Sequence, residues 1–394
     1  MDSSINVMSD EEVQNIRSAL EEGDLCTATE RLGNSLKEIE NAPLNIAITG
    51  ESGTGKSTFV NVIREMDDEE EGSAKTGVIE TTMKPTPYNH PQYPNVIFWD
   101  LPGIGTPDFA ADIYLQSVEF SRYDFFIILS SERFKKNDID LAKAIQAMHK
   151  KFYFVRSKVD SDVHASMIRR KKSFNEENVL NEIRSNCIQS LKDGGITEPQ
   201  VFLLSLLELE KYDFQKMQDT FEKELPEHKR HIFLMCLPNI SLPVLEKKRQ
   251  ALRKDVWKWA LCSYAAPVFS VLSVPSGAQI LMTVMIGYQK AFGLDENSLK
   301  KLADKFSKDV NELRSVIKSP IVVQEITEEI VNTLLGTYAN DHAINRCLRT
   351  IILLCNLESV AIPFGTAYQM LCDFLTKIAD DAERVLMKAL ESRL

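Results

Sequence analysis

The chain has 394 residues, 44% of them hydrophobic and 26% charged, with a formal net charge of -11 and a pI near 5.2. Such a length and apolar content suit two domains, or one large domain with an appendage, able to bury a real core. The acidic balance argues against nucleic acid as a partner, because phosphate neutralisation needs a basic footprint.

The N-terminus, Met1-Asp2-Ser3-Ser4, carries no apolar signal-peptide core and no Gly at position 2 for N-myristoylation. Residues 9–41 read as helical: Ser9-Asp10-Glu11-Glu12 suits an N-cap with an acidic first turn, and Val13, Ile16, Leu20, Leu32, Leu36 and Ile39 recur at helical spacing. Gly23-Asp24 breaks that segment in two. From residue 44 apolar strands alternate with helices. Strands are predicted at 44–49, 95–100, 124–130, 151–156 and 200–205, and helices near 57–66, 138–150, 176–192 and 212–224. This alternation implies a mostly parallel sheet covered on both faces. Past residue 229 the strand signals fade and the chain reads as all-helical. The expected organisation is therefore an N-terminal helical segment (1–42), an α/β domain (43–228) and a C-terminal helical domain (229–394).

Two stretches of the helical part are nearly uncharged: 259–289, with no Asp, Glu, Lys or Arg, and 350–371, with Glu358 alone. Pro267, Pro275 and Gly277 interrupt the first, and Pro363 and Gly365 the second. An uninterrupted span needs about 20 apolar residues, so pairs of shorter buried helices are favoured over a membrane hairpin. The seven cysteines (Cys26, Cys187, Cys236, Cys262, Cys347, Cys355 and Cys372) are scattered without a CxxC pair, which suits reduced thiols in the cytosol. The six histidines form no HExxH-type pair.

Gly50-Glu51-Ser52-Gly53-Thr54-Gly55-Lys56-Ser57 is a complete GxxxxGK[ST] pattern set between a predicted strand and a helix. Glycines let the backbone wrap a phosphate, inward N–H groups bind it, and the helix N-terminus favours an anion. Gly50, Ser52, Gly53, Thr54, Gly55, Lys56, Ser57 and Thr58 are the expected phosphate-contacting set. Lys56 is expected to reach the β and γ phosphates, and Ser57 to ligate Mg²⁺. Asp100-Leu101-Pro102-Gly103 follows the second predicted strand. Asp100 is placed to hold Mg²⁺, and the Gly103 N–H to sense the γ-phosphate. In the intervening loop Thr76, Thr81 and Thr82 are candidates for a hydroxyl on Mg²⁺. Thr76 is favoured, because Gly77 after it eases backbone approach. The acidic run 67–71 reads as a solvated loop.

Ser157-Lys158-Val159-Asp160 follows the fourth strand. A carboxylate two residues after Lys can accept the N1–H and N2–H₂ of guanine, a donor pair that adenine lacks, so Asp160 selects GTP and GDP over ATP. Lys158 can pack on the base. Ser157 stands where Asn or Thr is usual and keeps the hydroxyl of Thr. Ser205, ending the fifth strand, is a candidate for the base edge, although Leu206-Leu207 stands where Ala-Lys or Asn-Lys usually follows.

GESGTGKS, KTGVIETT, FWDLPGIG, YDFFIILSSERFKKNDIDLAKAI and FYFVRSKVDSD resemble the GKS subgroup of the interferon-inducible immunity-related GTPases, from about residue 9 to the C-terminus. The resemblance implies a Ras-like P-loop domain on a helical domain built from both chain ends, and hydrolysis of GTP. It also implies GTP-dependent self-assembly, association with other immunity-related GTPases, and action on vacuoles holding intracellular parasites. It nominates Glu80 as acting near the γ-phosphate and places Glu80 and Gly77 at an interface between copies, so that Lys56, Glu80 and Gly103 bear on the chemistry. Ras-type enzymes carry a water-orienting Gln after the DxxG glycine; here Ile104 stands there, and an apolar side chain cannot position water. Slow hydrolysis in the isolated chain is expected, with dimerisation across the nucleotide face completing the site. A GTP-gated scaffold with incidental turnover is the alternative. The implied location is the cytoplasm, with peripheral recruitment to membranes. Segments 259–289 and 350–371, flanked by Lys254, Lys258, Lys290, Arg346 and Arg349, are candidates for anionic lipid contact. The run Arg169-Arg170-Lys171-Lys172 reads as a solvated loop, with a second subunit or an anionic membrane as alternatives.

Overall fold

A computed structural model describes residues 43–77, 82, 84–104, 111–265, 276–339 and 358–391, together with Ser18, Thr27 and Arg31. The predicted helices of 9–41 lie otherwise outside the described residues. The chain divides into two units, one spanning Ala42–Pro238 and the other comprising Met1–Asn41 with Asn239–Leu394.

The first unit is built on six strands: β1 (Leu44–Gly50), β2 (Thr86–Asn89), β3 (Val96–Asp100), β4 (Phe125–Ser130), β5 (Lys151–Arg156) and β6 (Val201–Leu203). They lie in the order β2-β3-β1-β4-β5-β6. β2 runs antiparallel to β3, and the other pairings are parallel. This is the mostly parallel Ras-like P-loop arrangement that the sequence predicts. β4 reads Phe-Phe-Ile-Ile-Leu-Ser and is buried at every position, as a strand covered on both faces must be. β2 is short, alternates in burial and contains Pro87. It gives no strand signal in the sequence, and an edge is where a sheet tolerates a residue with no N–H to donate.

The helices of this unit are α1 (Lys56–Ile63), α2 (Ala111–Ser117), α3 (Lys136–Ala147), α4 (Val159–Arg169), α5 (Glu176–Asp193), α6 (Phe214–Glu224) and α7 (Glu227–Cys236). One core cluster joins Ala47, Phe126, Ile128 and Phe154 of the strands to Leu141, Ile145 and Leu191 of the helices. Another gathers aromatics: Phe221 of α6 lies 4.4 Å from Tyr153 and 5.0 Å from Phe125, centroid to centroid. α7 falls in this unit and not in the helical one, beyond the boundary at 228 expected from fading strand signals. Its Phe233 ring lies 5.7 Å from Phe221, and its Lys229 pairs with Asp124 at 2.6 Å. Asp124 in turn accepts from Asn45 N–H of β1.

The second unit holds α8 (Leu242–Ala265), α9 (Gly277–Ala291), α10 (Glu296–Phe306), α11 (Val310–Arg314), α12 (Pro320–Val323), α13 (Glu328–Ala339) and α14 (Glu358–Leu390). α8 packs along α14, whose Leu371, Leu375, Ile378 and Ala382 recur at helical spacing on its buried face. Gly277 opens α9 against α8: a Cβ there would meet the Ser263 carbonyl oxygen at 2.3 Å. α14 runs through Pro363 and Gly365, where the sequence suggests a break. Among the described residues Cys187, Cys236, Cys262 and Cys372 are buried free thiols, and no helix is long and apolar enough to cross a membrane.

Candidate functional site

The C-terminal ends of β1, β3 and β5 bring Gly50, Asp100 and Ser157 to one edge of the sheet, where open α/β sheets bind ligands. Gly50 has φ 140°, and a Cβ there would meet the Leu129 carbonyl oxygen at 2.1 Å. The loop can turn off β1 this tightly only with glycine. Gly53 (φ 79°) and Gly55 (φ 93°) continue the left-handed path, and Gly55 caps α1. Lys56 is buried, and its Nζ donates to the carbonyls of Gly50 (3.1 Å) and Glu51 (2.9 Å). Thr54 Oγ1 also donates to Glu51 O (2.9 Å). A cation thus sits inside the loop, ready to exchange carbonyl oxygens for phosphate oxygens. Ser52 and Gly53 are exposed at the loop tip, and Thr58 lies in the first turn of α1.

Asp100 is 1% exposed. Its Oδ2 accepts from Ser57 Oγ at 2.7 Å and from Thr82 Oγ1 at 2.8 Å, while its Oδ1 is buried with no hydrogen-bond partner. Burial pushes this carboxyl up; the two hydroxyl hydrogen bonds and the Lys56 charge pull against that. Hard oxygen donors converging beside an unsatisfied carboxylate oxygen fit a small hard cation such as Mg²⁺. Among the described residues no cluster of three or more His, Cys, Asp or Glu is placed to hold a metal.

Thr76, favoured from sequence, sits elsewhere. Its hydroxyl donates to Asp68 Oδ2 at 2.9 Å. The cause is Asn61, buried on α1, which accepts from Ala74 N–H at 2.6 Å and donates to Ala74 O and to Asp68 Oδ1. This clasp folds the loop onto α1, turns Thr76 toward Asp68 and draws part of the acidic run out of a purely solvated role. Gly77 is described and exposed; Glu80 and Thr81 lie outside the described residues.

Ile104 is completely buried in the core cluster of the sheet. Its N–H donates to Gly50 O at 3.4 Å, and its carbonyl accepts from Asn137 Nδ2 at 2.7 Å. The side chain after Gly103 therefore points away from the phosphate loop. Gly103 itself follows Pro102, whose carbonyl accepts from Tyr114 OH; that hydroxyl also lies 2.9 Å from Thr49 Oγ1 of β1.

At the base-reading motif, Ser157 is buried and donates its hydroxyl to Thr54 O at 2.7 Å. The departure from Asn or Thr is met by any short donor that reaches this carbonyl. Lys158 adopts a left-handed backbone (φ 56°) and donates Nζ to Gly53 O at 2.9 Å, so motif and phosphate loop are tied at two points. Asp160 stands in the first turn of α4. Ser205 is buried, and its Oγ accepts from Leu207 N–H (3.3 Å) and Glu208 N–H (3.2 Å). Its hydroxyl oxygen closes its own turn. Leu206 approaches the site, its Cδ1 3.1 Å from where a Gly55 Cβ would stand. Neither Leu206 nor Tyr114 has a local sequence signal, because both act across long stretches of chain.

The family model for interferon-inducible GTPases (IIGP) matches residues 9–389. Interferon-inducible GTPase 5 of Rattus norvegicus is 43% identical over 391 residues, covering 98% of this chain and 84% of the relative. Interferon-inducible GTPase 1 of Mus musculus is 41% identical over 385 residues, covering 96% and 91%. T-cell-specific guanine nucleotide triphosphate-binding protein 2 of Mus musculus is 40% identical over 338 residues, covering 84% and 80%.

Proposed function

The chain belongs to the interferon-inducible GTPase family, and we propose that it is a GTPase whose hydrolysis of GTP to GDP and phosphate is completed by assembly with a second copy. Its own residues supply binding. The loop from Gly50 to Ser57 wraps the phosphates, with Lys56 among them. Ser57, Thr82 and Asp100 would hold Mg²⁺, which when bound offsets charge on the β and γ phosphates. Asp160 accepts the N1–H and N2–H₂ of guanine. Gly103 follows the γ-phosphate through its backbone N–H.

The observation that carries the assembly reading is Ile104. It is buried at the position that orients water in Ras-type enzymes, so this position cannot serve the attacking water. A partner approaching the nucleotide face, through the segment that holds Gly77 and Glu80, would complete the site. The same contact would make assembly GTP-dependent and accommodate related GTPases. The proposed setting is interferon-induced defence at the membranes of pathogen-containing vacuoles, reached by peripheral recruitment to anionic lipid, where avidity multiplies weak contacts. Sedimentation velocity with a non-hydrolysable GTP analogue and with GDP tests this reading. Association with the analogue and monomer with GDP is expected; the same species in both would contradict it.

A further inference from the structure

We propose that Arg156 is a positioning residue for base selection: it holds the first turn of α4, and with it Asp160, in place beside the phosphate loop. The inference rests on the guanine reading of Asp160. Arg156 ends β5 with its side chain 8% exposed. A buried cation must be fully partnered, and its partners lie on three segments. Nη1 donates to Ser131 O, just after β4, and to Ser157 O at 2.5 Å, at the start of the base-reading motif. Nη2 donates to Asp162 Oδ2, two residues beyond Asp160 in the same turn of α4.

Lys158, between strand and helix, has left-handed backbone that only local support maintains in a non-glycine residue. Ser157 and Lys158 fasten the strand side of this bend to Thr54 and Gly53. On the helix side, buried Val159 donates its N–H to Leu204 O at 3.4 Å, and the Arg156–Asp162 pair is the side-chain tie that reaches the turn carrying Asp160. Asp160 must meet two guanine donors at once, so a small rotation of this turn costs one of the two bonds. A planar guanidinium fixes several acceptors in one plane; a lysine ammonium does not.

The test compares GDP with IDP, whose base lacks the N2 amino group, on the full chain by calorimetry. Arg156→Lys and Asp162→Asn should weaken GDP by about tenfold while leaving IDP nearly unchanged, so the GDP:IDP affinity ratio falls. Asp162 is 42% exposed, so Asp162→Asn should fold even where the arginine variant does not. A role confined to stability would weaken both nucleotides alike. An unchanged ratio in Asp162→Asn, with wild type still preferring GDP, overturns the proposal. Absence of any GDP preference in wild type would instead overturn the guanine reading beneath it.

Discussion

Asp100 gathers two separate motifs onto one oxygen. Ser57 reaches it from the phosphate loop and Thr82 from the loop that follows. Lys56, Ser57 and Asp100 are legible in the sequence because motif order and spacing leave little choice. The third hydroxyl is not legible. Thr76, Thr81 and Thr82 differ only by a few positions, and Asn61, a residue outside every motif, decides where Thr76 goes. Ser205 shows a second local role that its motif position does not announce, since a hydroxyl at a strand end can also close its own turn. If Thr82 serves the cation site, Thr82→Ala should lower Mg²⁺-dependent affinity for a GTP analogue by about tenfold or more, the worth of a hydrogen bond to a charged group. Thr76→Ala should leave the Mg²⁺ dependence as in wild type. Titration of both variants with fluorescent GTP analogue, with and without Mg²⁺, reads the difference.

At the scale of elements, the motif-bearing strands were predictable from continuous apolar runs, and β2 was not, because a four-residue edge strand containing Pro87 has no run to show. α3 carries a pH dependence. Asp138 in its first turn is buried, accepts from Lys135 N–H and keeps Oδ1 without a partner. Burial first, and the charge of Glu51 after it, push its carboxyl up to about 6, against the pull of the Lys135 N–H and the Lys135 charge. The folded chain thus holds this proton more tightly than the unfolded chain, whose aspartates titrate near 3.8. The Asp138 contribution to stability is therefore lost as pH rises from about 4 through about 6. Asp138→Asn keeps an acceptor for Lys135 N–H and removes the ionisation. Thermal melts of both proteins should coincide near pH 4 and diverge above pH 6 with the variant more stable; parallel curves would refute this. In the helical unit, Pro363 shows the converse limit of reading breaks from sequence: the helix continues through it, and packing on α8 sustains the 33 residues of α14.

For the whole molecule, the division into an α/β unit and a helical unit follows from where strand periodicity ends. Its edge at Pro238 is set by tertiary contact, since α7 is helical in pattern yet is fastened to the sheet by Lys229 and Phe233. Ile104 gives the nucleotide site its character. The apolar side chain was visible in the sequence; that it is sunk in the core, with its carbonyl held by Asn137, was not. The phosphate-binding loop lies within one chain, and under the proposed function the placement of the attacking water falls to an assembled state. GTP turnover per chain, measured at saturating GTP and Mg²⁺ with GDP separated as product, tests this most directly across a wide series of protein concentrations. The account predicts a specific activity that rises with concentration and then levels as assembly saturates; a specific activity constant across the series would contradict it.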